Sequence, residues 1–451
     1  MESLRSDEVQ GGAHLVSRAV QVDSLSVRAW LETADTPRTV WSAPSEGTVV
    51  GSGAAATLSA DGPDRFTAIQ ETAEGLFTSG DVHAGTEAAC PRLFGGFAFY
   101  DRDEGGAPWD AFPGARFVLP RVQVTEAENG TWLTVNAVGP EADAESVETR
   151  LAAERERLAD LPDPGPVADP PGVVSRTRTM STDDWRESVE AAVDRIRAGD
   201  LQKVVLAQAL RTDLAHEVSI PDLLARLADT YPDCYRFLVE PEGAEPRASF
   251  FGATPERLVK RRGRTVETGA LAGTTGRGDT PTEDEWLAEE LRDSEKNAHE
   301  HRLVADAIRE QLAPLASSVR TGERSVRRLA TVQHLFTPIT ATLSSDQHVL
   351  SLVEALHPTP AVGGLPPERA LETIRDTEPF DRGWYAAPVG WFDAAGNGSF
   401  AVALRSAVVR ETTATLFAGV GIVGDSDPDR EWDEVQLKYR PILDELETRV
   451  A

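Results

Sequence analysis

Lysine is scarce in this chain. The 451 residues contain only Lys203, Lys260, Lys296 and Lys438, whereas Asp and Glu number 74 and the formal net charge is -29. Many surface carboxylates combined with few lysines are typical of proteins in concentrated salt, where carboxylates hold water and cations. We interpret the composition as that of a halophilic protein; an ordinary acidic protein is the alternative.

Other absences argue against whole classes of function. Two cysteines, Cys90 and Cys234, give neither zinc-ligand spacing nor a disulfide framework, which indicates a reducing compartment. The chain has no run of about 18 apolar residues and no apolar signal region at its N-terminus, so we expect a soluble, cytoplasmic protein without a membrane partner. Because the chain is acidic and lacks a basic patch, we expect no nucleic-acid partner.

Proline marks the clearest break along the chain. Five prolines fall within 161–179 without apolar periodicity, which predicts an extended surface connection. We therefore divide the chain into an N-terminal part (1–160), a connection (161–180) and a C-terminal part (181–451). Alternating apolar residues before the break predict mainly strands, and helices alternate with strands after it.

Local patterns after the break predict individual elements. Ser181 is placed to cap a helix over 182–198, and the mostly apolar KVVLAQALR at 203–211 predicts a strand. Thr282 is expected to cap one long helix over 283–314.

Two side chains are candidates for acid–base chemistry. Lys203 begins an apolar strand, where burial or a neighbouring cation would let its amine act as a general base. Glu256, in FFGATPERLV, follows a buried strand and could be kept protonated to act as an acid. The alternatives are a lysine that reaches solvent and a glutamate that complements a helix N-terminus.

Glutamates are the candidate metal ligands. Glu300 lies in the long predicted helix, and Glu431 and Glu434 are three residues apart on one helix face. Few carboxylates with open water positions suit Mg²⁺, which substrate oxygens complete. Each glutamate alone could instead be a solvated surface residue. His299 and His301 point in different directions on a helix, which argues against a zinc pair.

Several motifs offer anion-binding groups. The stretches ETGALAGTTGRG at 267–278 and AGVGIVG at 418–424 predict glycine-rich turns whose backbone N–H groups could hold a carboxylate. Arg405, among apolar strand residues, could bind a carboxylate through two hydrogen bonds. Lys438 follows Glu434 by four residues, so an ordinary ion pair and an anion clamp both stay open.

In combination, these motifs resemble the chorismate-utilising enzymes, a family that includes isochorismate, salicylate, anthranilate and aminodeoxychorismate synthases. The resemblance covers residues 181 to 449 and rests, in the family's order, on KVVLAQ, FFGATPERLV, ETGALAGTTGRG, SEKNAHEHRLVAD, VQHLFT, LHPTPAVGG, RGWYAAPVGW, VALRSA and AGVGIVGDSDPDREWDEVQLK. It implies an α/β (α+β) fold: one large unit of two stacked antiparallel β-sheets covered by helices, with the N-terminal part completing the sandwich.

Particular positions distinguish the reactions within this family. Members that attack the substrate ring with water carry lysine where Lys203 stands, so the resemblance implies no amidotransferase subunit to supply ammonia. Ala272 occupies the position of the lysine nucleophile of the aminodeoxychorismate branch. Ala361 resembles isochorismate synthases, because amine-forming and salicylate-forming members tend to have threonine there. Gln208 departs from the family's usual arginine, and its role is left open.

The resemblance implies a Mg²⁺-dependent isomerisation of chorismate to isochorismate. Mg²⁺ held by Glu300 and Glu434, with Glu431 nearby, would bind the ring carboxylate. Lys203 would take a proton from water that attacks C2, while Glu256 would protonate the departing C4 hydroxyl.

The resemblance also implies the substrate contacts. They are Arg405 and Tyr385 for the enolpyruvyl carboxylate, and Gly273, Thr274, His334, Ala361, Gly419 and Lys438 around the rest of the molecule. Menaquinone biosynthesis is the expected pathway. Salicylate synthase and isochorismate supply for a catechol siderophore are the alternatives, and an anthranilate synthase component or an inactive chorismate-binding relative ranks behind them.

Overall fold

Strands dominate the first part of the chain. The computed structural model describes residues 14–44, 46–101, 106–244 and 246–448. Up to residue 178 the helices are α1 (Val27–Thr33), α2 (Arg65–Thr78) and α3 (Ala144–Ala159). The strands are β1 (Leu15–Val22), β2 (Arg38–Ala43), β3 (Gly47–Ala60), β4 (Asp81–His83), β5 (Arg92–Phe97), β6 (Ala115–Ala127), β7 (Gly130–Val138) and β8 (Val173–Arg178).

Helices and strands alternate after residue 180. The helices are α4 (Thr182–Arg197), α5 (Ile220–Thr230), α6 (Pro281–Asp293), α7 (Glu295–Leu312), α8 (Val349–Leu356), α9 (Pro367–Thr377) and α10 (Pro428–Leu443). The strands are β9 (Lys203–Leu214), β10 (Tyr235–Val239), β11 (Ala248–Thr254), β12 (Arg257–Arg262), β13 (Thr265–Gly276), β14 (Ala316–Thr321), β15 (Ser325–Arg328), β16 (Val332–Leu343), β17 (Gly364–Leu365), β18 (Pro388–Asp393), β19 (Gly398–Val402), β20 (Ser406–Arg410) and β21 (Thr413–Ile422).

The strands form one hydrogen-bonded network that branches at β6. One arm continues through β3, β2, β10, β11, β20, β21 and β9, and the other through β5, β18, β19, β12, β13 and β16. Among the described strands, only β1 and β4 pair in parallel. A shared apolar core holds Phe237 and Phe250 from the first arm together with Phe392 and Phe400 from the second. The predicted α/β fold with stacked antiparallel sheets is confirmed, and β6 joins the two sheets.

Both arms include strands from before the proline-rich break. Strand β2 pairs with β10 in the first arm, and β5 pairs with β18 in the second. Residues 161–172 form neither helix nor strand, after which the exposed strand β8 pairs with β9. The strands on either side of the connection therefore belong to one network.

Helix predictions in the second part are confirmed at one position and wrong at another. Ser181 caps α4 with a complete capping box, in which Asp184 is the reciprocal partner. The long helix expected over 283–314 is two helices, because Ser294 takes an extended conformation, ends α6 and caps α7. Thr280, rather than Thr282, is the N-cap of α6.

Helices cover the outer face of the first arm. A second apolar core holds Trp185 of α4, Leu227 of α5 and Tyr439 of α10 against alternate residues of β9 and β21. No helix in the described ranges is long and apolar enough to cross a membrane. Helix α10 lies along β21 and α7 lies along β13, so each delivers side chains to the cavity between them.

Candidate active site

One cavity brings together every site residue predicted from the sequence. Its lining includes Lys203, Glu256, Gly273, Thr274, Glu300, His334, Ala361, Tyr385, Arg405, Gly419, Glu431, Glu434 and Lys438. These residues come from both arms of the sheet and from α7 and α10. Their proximity follows from the fold, whereas the role of each residue stays a prediction.

Lys203 is buried at the start of β9. It is 1% exposed, and its Nζ lies 2.9 Å from Oε1 of Glu300, whose residue is also buried. A Cβ atom at Gly421 would come within 2.8 Å of the Lys203 side chain and 2.5 Å of Oε1 of Glu300, so only glycine leaves room for this pair. The alternatives of a lysine that reaches solvent and a solvated Glu300 are therefore wrong.

Glu256 lies in the short connection between β11 and β12. Its residue is 6% exposed, and Oγ1 of Thr254 accepts a hydrogen bond from its backbone N–H at 3.2 Å. Strand β12 begins directly after it, so the alternative of a glutamate at a helix N-terminus is wrong. Burial raises the pKa of Glu256 to about 7, although the positive charges of Lys203 and Lys438 act in the opposite direction. Near neutral pH this carboxyl group therefore retains a proton that it can donate.

The other two glutamates of the cavity are also paired with lysines. Lys296 Nζ lies 2.9 Å from Glu431 Oε1, and this pair joins α7 to α10. Lys438 Nζ lies 2.8 Å from Glu434 Oε1 and donates a second hydrogen bond to the backbone oxygen of Gly419 at 2.9 Å. Lys438 thus makes the i,i+4 ion pair left open by the sequence, and it also ties α10 to β21.

Carboxylates of the cavity could hold a divalent cation together with a substrate. Within the described ranges, no three His, Cys, Asp or Glu side chains converge closely enough to form a ready metal site. Burial alone would raise the pKa of Glu300, but the charge and hydrogen bond of Lys203 lower it below its ordinary value. Glu300 is therefore anionic, and together with Glu434 it offers the one or two carboxylates that Mg²⁺ uses with substrate oxygens. The donor chemistry fits Mg²⁺.

Arg405 and His334 form a polar pair whose proton positions can be deduced. Arg405 Nη2 lies 2.7 Å from His334 Nε2 and, because a guanidinium only donates, this ring nitrogen accepts. The ring proton is therefore on Nδ1, which donates to Oγ1 of Thr274 at 3.1 Å. Burial and the charge of Arg405 hold the pKa of His334 well below its ordinary value, in agreement with a neutral ring.

Arg405 brings a buried positive charge to the cavity. Its residue is 7% exposed and lines the cavity, while Nη2 contacts His334 and the thiol of Cys234, a weak acceptor, interacts with the guanidinium. Tyr385, stacked on Phe417 at 5.3 Å, is also buried, and burial raises the pKa of its hydroxyl so that it stays a donor. Arg405 and Tyr385 thus line the same cavity.

The two glycine-rich stretches are strands rather than the predicted turns. Residues 267–276 belong to β13, and 418–422 belong to β21. A β-bulge between Ala272 and Thr274 leaves Gly273 at a φ of +77°, which favours glycine. The bulge interrupts regular pairing with β16 at Gly273, a local irregularity that the predicted turn did not include.

The family can be assigned from comparison with known proteins. Residues 2–447 match the family model described as chorismate binding enzyme. This chain belongs to the chorismate-binding enzymes. It is 37% identical over 449 residues to isochorismate synthase MenF of Bacillus subtilis, with 96% of this chain and 94% of the relative covered. It is also 37% identical over 438 residues to the salicylate biosynthesis isochorismate synthase of Pseudomonas aeruginosa, with 96% and 90% covered.

A solved structure extends this likeness to the fold. The menaquinone-specific isochorismate synthase MenF of Escherichia coli is similar with a TM-score of 0.78 and 27% identity, covering 97% of this chain and 95% of that chain. The family resemblance inferred from nine motifs is therefore confirmed. The similarity also extends to the part of the chain before the proline-rich break, which those motifs do not cover.

Sequence analysis of this chorismate-binding enzyme missed Arg382, which also lines the cavity. Its guanidinium forms a buried ion pair with Glu378, with Nε 2.8 Å from Oε2. It also donates to the backbone oxygens of Val205 in β9 and Val362 in the loop before β17, while Glu378 accepts from Ala207 N–H. The pair thus makes hydrogen bonds to backbone groups of β9 between the residues that pair with β17 and those that pair with β8. Glu378 and Arg382 lie after the end of α9, so helical spacing gave no signal for this pair in the sequence.

Proposed function

We propose that this chorismate-binding enzyme is an isochorismate synthase that isomerises chorismate to isochorismate for menaquinone biosynthesis. Nearly full-length similarity to relatives named isochorismate synthase and menaquinone-specific isochorismate synthase supports both parts of the proposal. The observation that carries the chemistry is one cavity that holds a buried lysine, Lys203, and a carboxyl group, Glu256, that retains its proton near neutral pH. Moving a hydroxyl from C4 to C2 requires one base and one acid.

The two residues divide the proton transfers. Lys203 accepts a proton from water as the water oxygen bonds to C2 of the ring, and the ring double bonds shift. The C4–O bond breaks, and Glu256 gives its proton to the departing hydroxyl, which leaves as water. One water enters and one leaves, so the net reaction is an isomerisation, and exchange with solvent restores both groups.

Anion contacts orient the substrate. Arg405 and the hydroxyl of Tyr385 would hold the enolpyruvyl carboxylate, because both residues are buried, carry hydrogen-bond donors and line one cavity. Around the rest of the substrate we place the same set as the resemblance implies, namely Gly273, Thr274, His334, Ala361, Gly419 and Lys438. The neutral His334 adds no charge and keeps Arg405 in position.

Mg²⁺ is the proposed cofactor, held by Glu300 and Glu434 with Glu431 nearby. Bound there, it would supply positive charge to the ring carboxylate of chorismate and compete with Lys203 for Glu300.

Other features restrict the reaction and its setting. Ala361 supports release of isochorismate rather than elimination of pyruvate to salicylate, and Lys203 supports water over ammonia, so no amidotransferase subunit is proposed. The acidic, lysine-poor composition supports an enzyme of a salt-rich cytoplasm. The division into 1–160, 161–180 and 181–451 stays a prediction.

Product analysis tests the proposal. Purified protein is incubated with chorismate in concentrated KCl, with and without Mg²⁺, and the products are separated by chromatography. We expect isochorismate only with Mg²⁺. Abundant salicylate and pyruvate without a partner lyase would establish a salicylate synthase instead, and anthranilate formed on addition of ammonia would establish the amine-forming reaction.

A further inference from the structure

Lys296 is the one lysine of the cavity that the proposed reaction does not use. The chain has four lysines in total, and three of them, Lys203, Lys296 and Lys438, line this cavity. The fourth, Lys260, pairs with Glu46 elsewhere. A positive charge beside the proposed metal site that the reaction does not use needs an explanation.

The position of Lys296 suggests one. It lies in the first turn of α7, one helical turn before Glu300, and its Nζ reaches 2.9 Å from Oε1 of Glu431 on α10. Glu431 is 2% exposed, whereas the Lys296 side chain is 36% exposed, so the lysine approaches a buried carboxylate from the solvent side. Glu431 is one helical turn from Glu434 and on the same helix face.

We propose that Lys296 is a built-in counter-ion that neutralises Glu431 and thereby limits the affinity of the site for Mg²⁺. This inference rests on the proposed function, in which Glu300 and Glu434 hold the cation. A third anionic glutamate beside these two would bind Mg²⁺ more tightly before substrate arrives, and its charge would repel the anionic substrate. With Glu431 neutralised, the substrate's own carboxylate supplies the missing negative charge, and metal and substrate bind best together.

Charge substitutions distinguish this role from a purely structural one, in which the ion pair only holds α7 against α10. Lys296→Met removes one positive charge, so the Kd for Mg²⁺ should fall by about tenfold. Glu431→Gln removes one negative charge, so the Kd should rise by a similar factor. The double variant Lys296→Met/Glu431→Gln should bind Mg²⁺ as the unmodified protein does, because the two changes cancel, and Lys296→Arg should also leave the Kd unchanged.

The experiment is isothermal titration of the full chain with Mg²⁺ alone, without substrate, in concentrated KCl. Lys260→Met is the matched control, since it breaks a lysine–glutamate pair outside the cavity. If Lys296→Met and Glu431→Gln weakened Mg²⁺ binding equally, the ion pair would have only a structural role, and the inference would be overturned. Failure of the unmodified protein to make isochorismate would instead overturn the proposed function, so the two failures are distinguishable.

Discussion

Glu256→Gln is predicted to make the folded protein more stable at alkaline pH while removing the proposed catalytic acid. The pKa of Glu256 is raised from 4.5 to about 7 by burial. Below pH about 4.5 the carboxyl group is protonated in both the folded and the unfolded chain. Between pH about 4.5 and about 7 the unfolded chain releases this proton first, so this group lowers the free energy of unfolding as pH rises. Above pH about 7 the group is ionised in both the folded and the unfolded chain, so its effect on the free energy of unfolding grows no further.

The magnitude follows from the size of this shift. Each pKa unit corresponds to about 1.4 kcal/mol, so ionised Glu256 lowers the free energy of unfolding by up to about 3 kcal/mol. Glutamine matches the shape of the protonated carboxyl group and cannot ionise. We therefore expect the free energy of unfolding of the Glu256→Gln variant to be higher than that of the unmodified protein by up to about 3 kcal/mol near pH 8. Near pH 5 the difference should be much smaller.

Urea unfolding of both proteins, in the same KCl concentration at each pH, measures this difference. Other titrating groups are common to the two proteins and cancel in the comparison. Glu310→Gln, on an exposed position of α7, is the matched control and should show no such dependence on pH. A stability difference that is the same near pH 5 and near pH 8, or that grows towards acid, would refute the assignment of a buried, proton-retaining Glu256.

Further predictions concern catalysis. Lys203→Ala should lower kcat for isochorismate formation by at least about 100-fold, whereas Lys260→Ala should not; equal rates would refute the base. In the unmodified enzyme, kcat should fall about tenfold per pH unit above about 7 as Glu256 loses its proton, and a flat profile to pH 9 would exclude it as the acid. Arg405→Lys should raise the KM for chorismate about tenfold, because lysine lacks the planar set of donors with which the guanidinium can hold His334 and a carboxylate together. Ala361→Thr should yield detectable salicylate by fluorescence.

The resemblance to the chorismate-utilising enzymes was enough to name most of the predicted cavity residues, whereas residue chemistry alone gave only candidates such as Lys203 and Glu256 with alternatives left open. Local patterns did not predict the break at Ser294, since helical periodicity continues on both sides of that residue and only the cap geometry separates α6 from α7. The bulge at Gly273 escaped notice for a similar reason: a run of glycine and threonine is compatible with a turn and with a strand.

Contacts between distant parts of the chain could not be predicted from local patterns at all. Arg382 reaches the backbone of β9 and of the loop before β17, which are far from it in sequence. Likewise, each site lysine was visible in the sequence, but its glutamate partner on another element was not, except for Lys438 and Glu434 at helical spacing. Those partners depend on how α7 and α10 meet the sheet.

Because the sheet branches at β6, strands from the first part of the chain can pair with their partners in the second part only late in synthesis. Strand β5 leaves the ribosome roughly 300 residues before β18, its partner, and β2 roughly 200 residues before β10. Until then, the newly made β2 and β5 present unpaired edges that can associate with other chains. A fragment that begins at residue 181 would in turn expose the edges of β10 and β18. The two parts of the chain therefore depend on each other for folding, and gene fragments split at the proline-rich connection should yield active enzyme only when both are produced together.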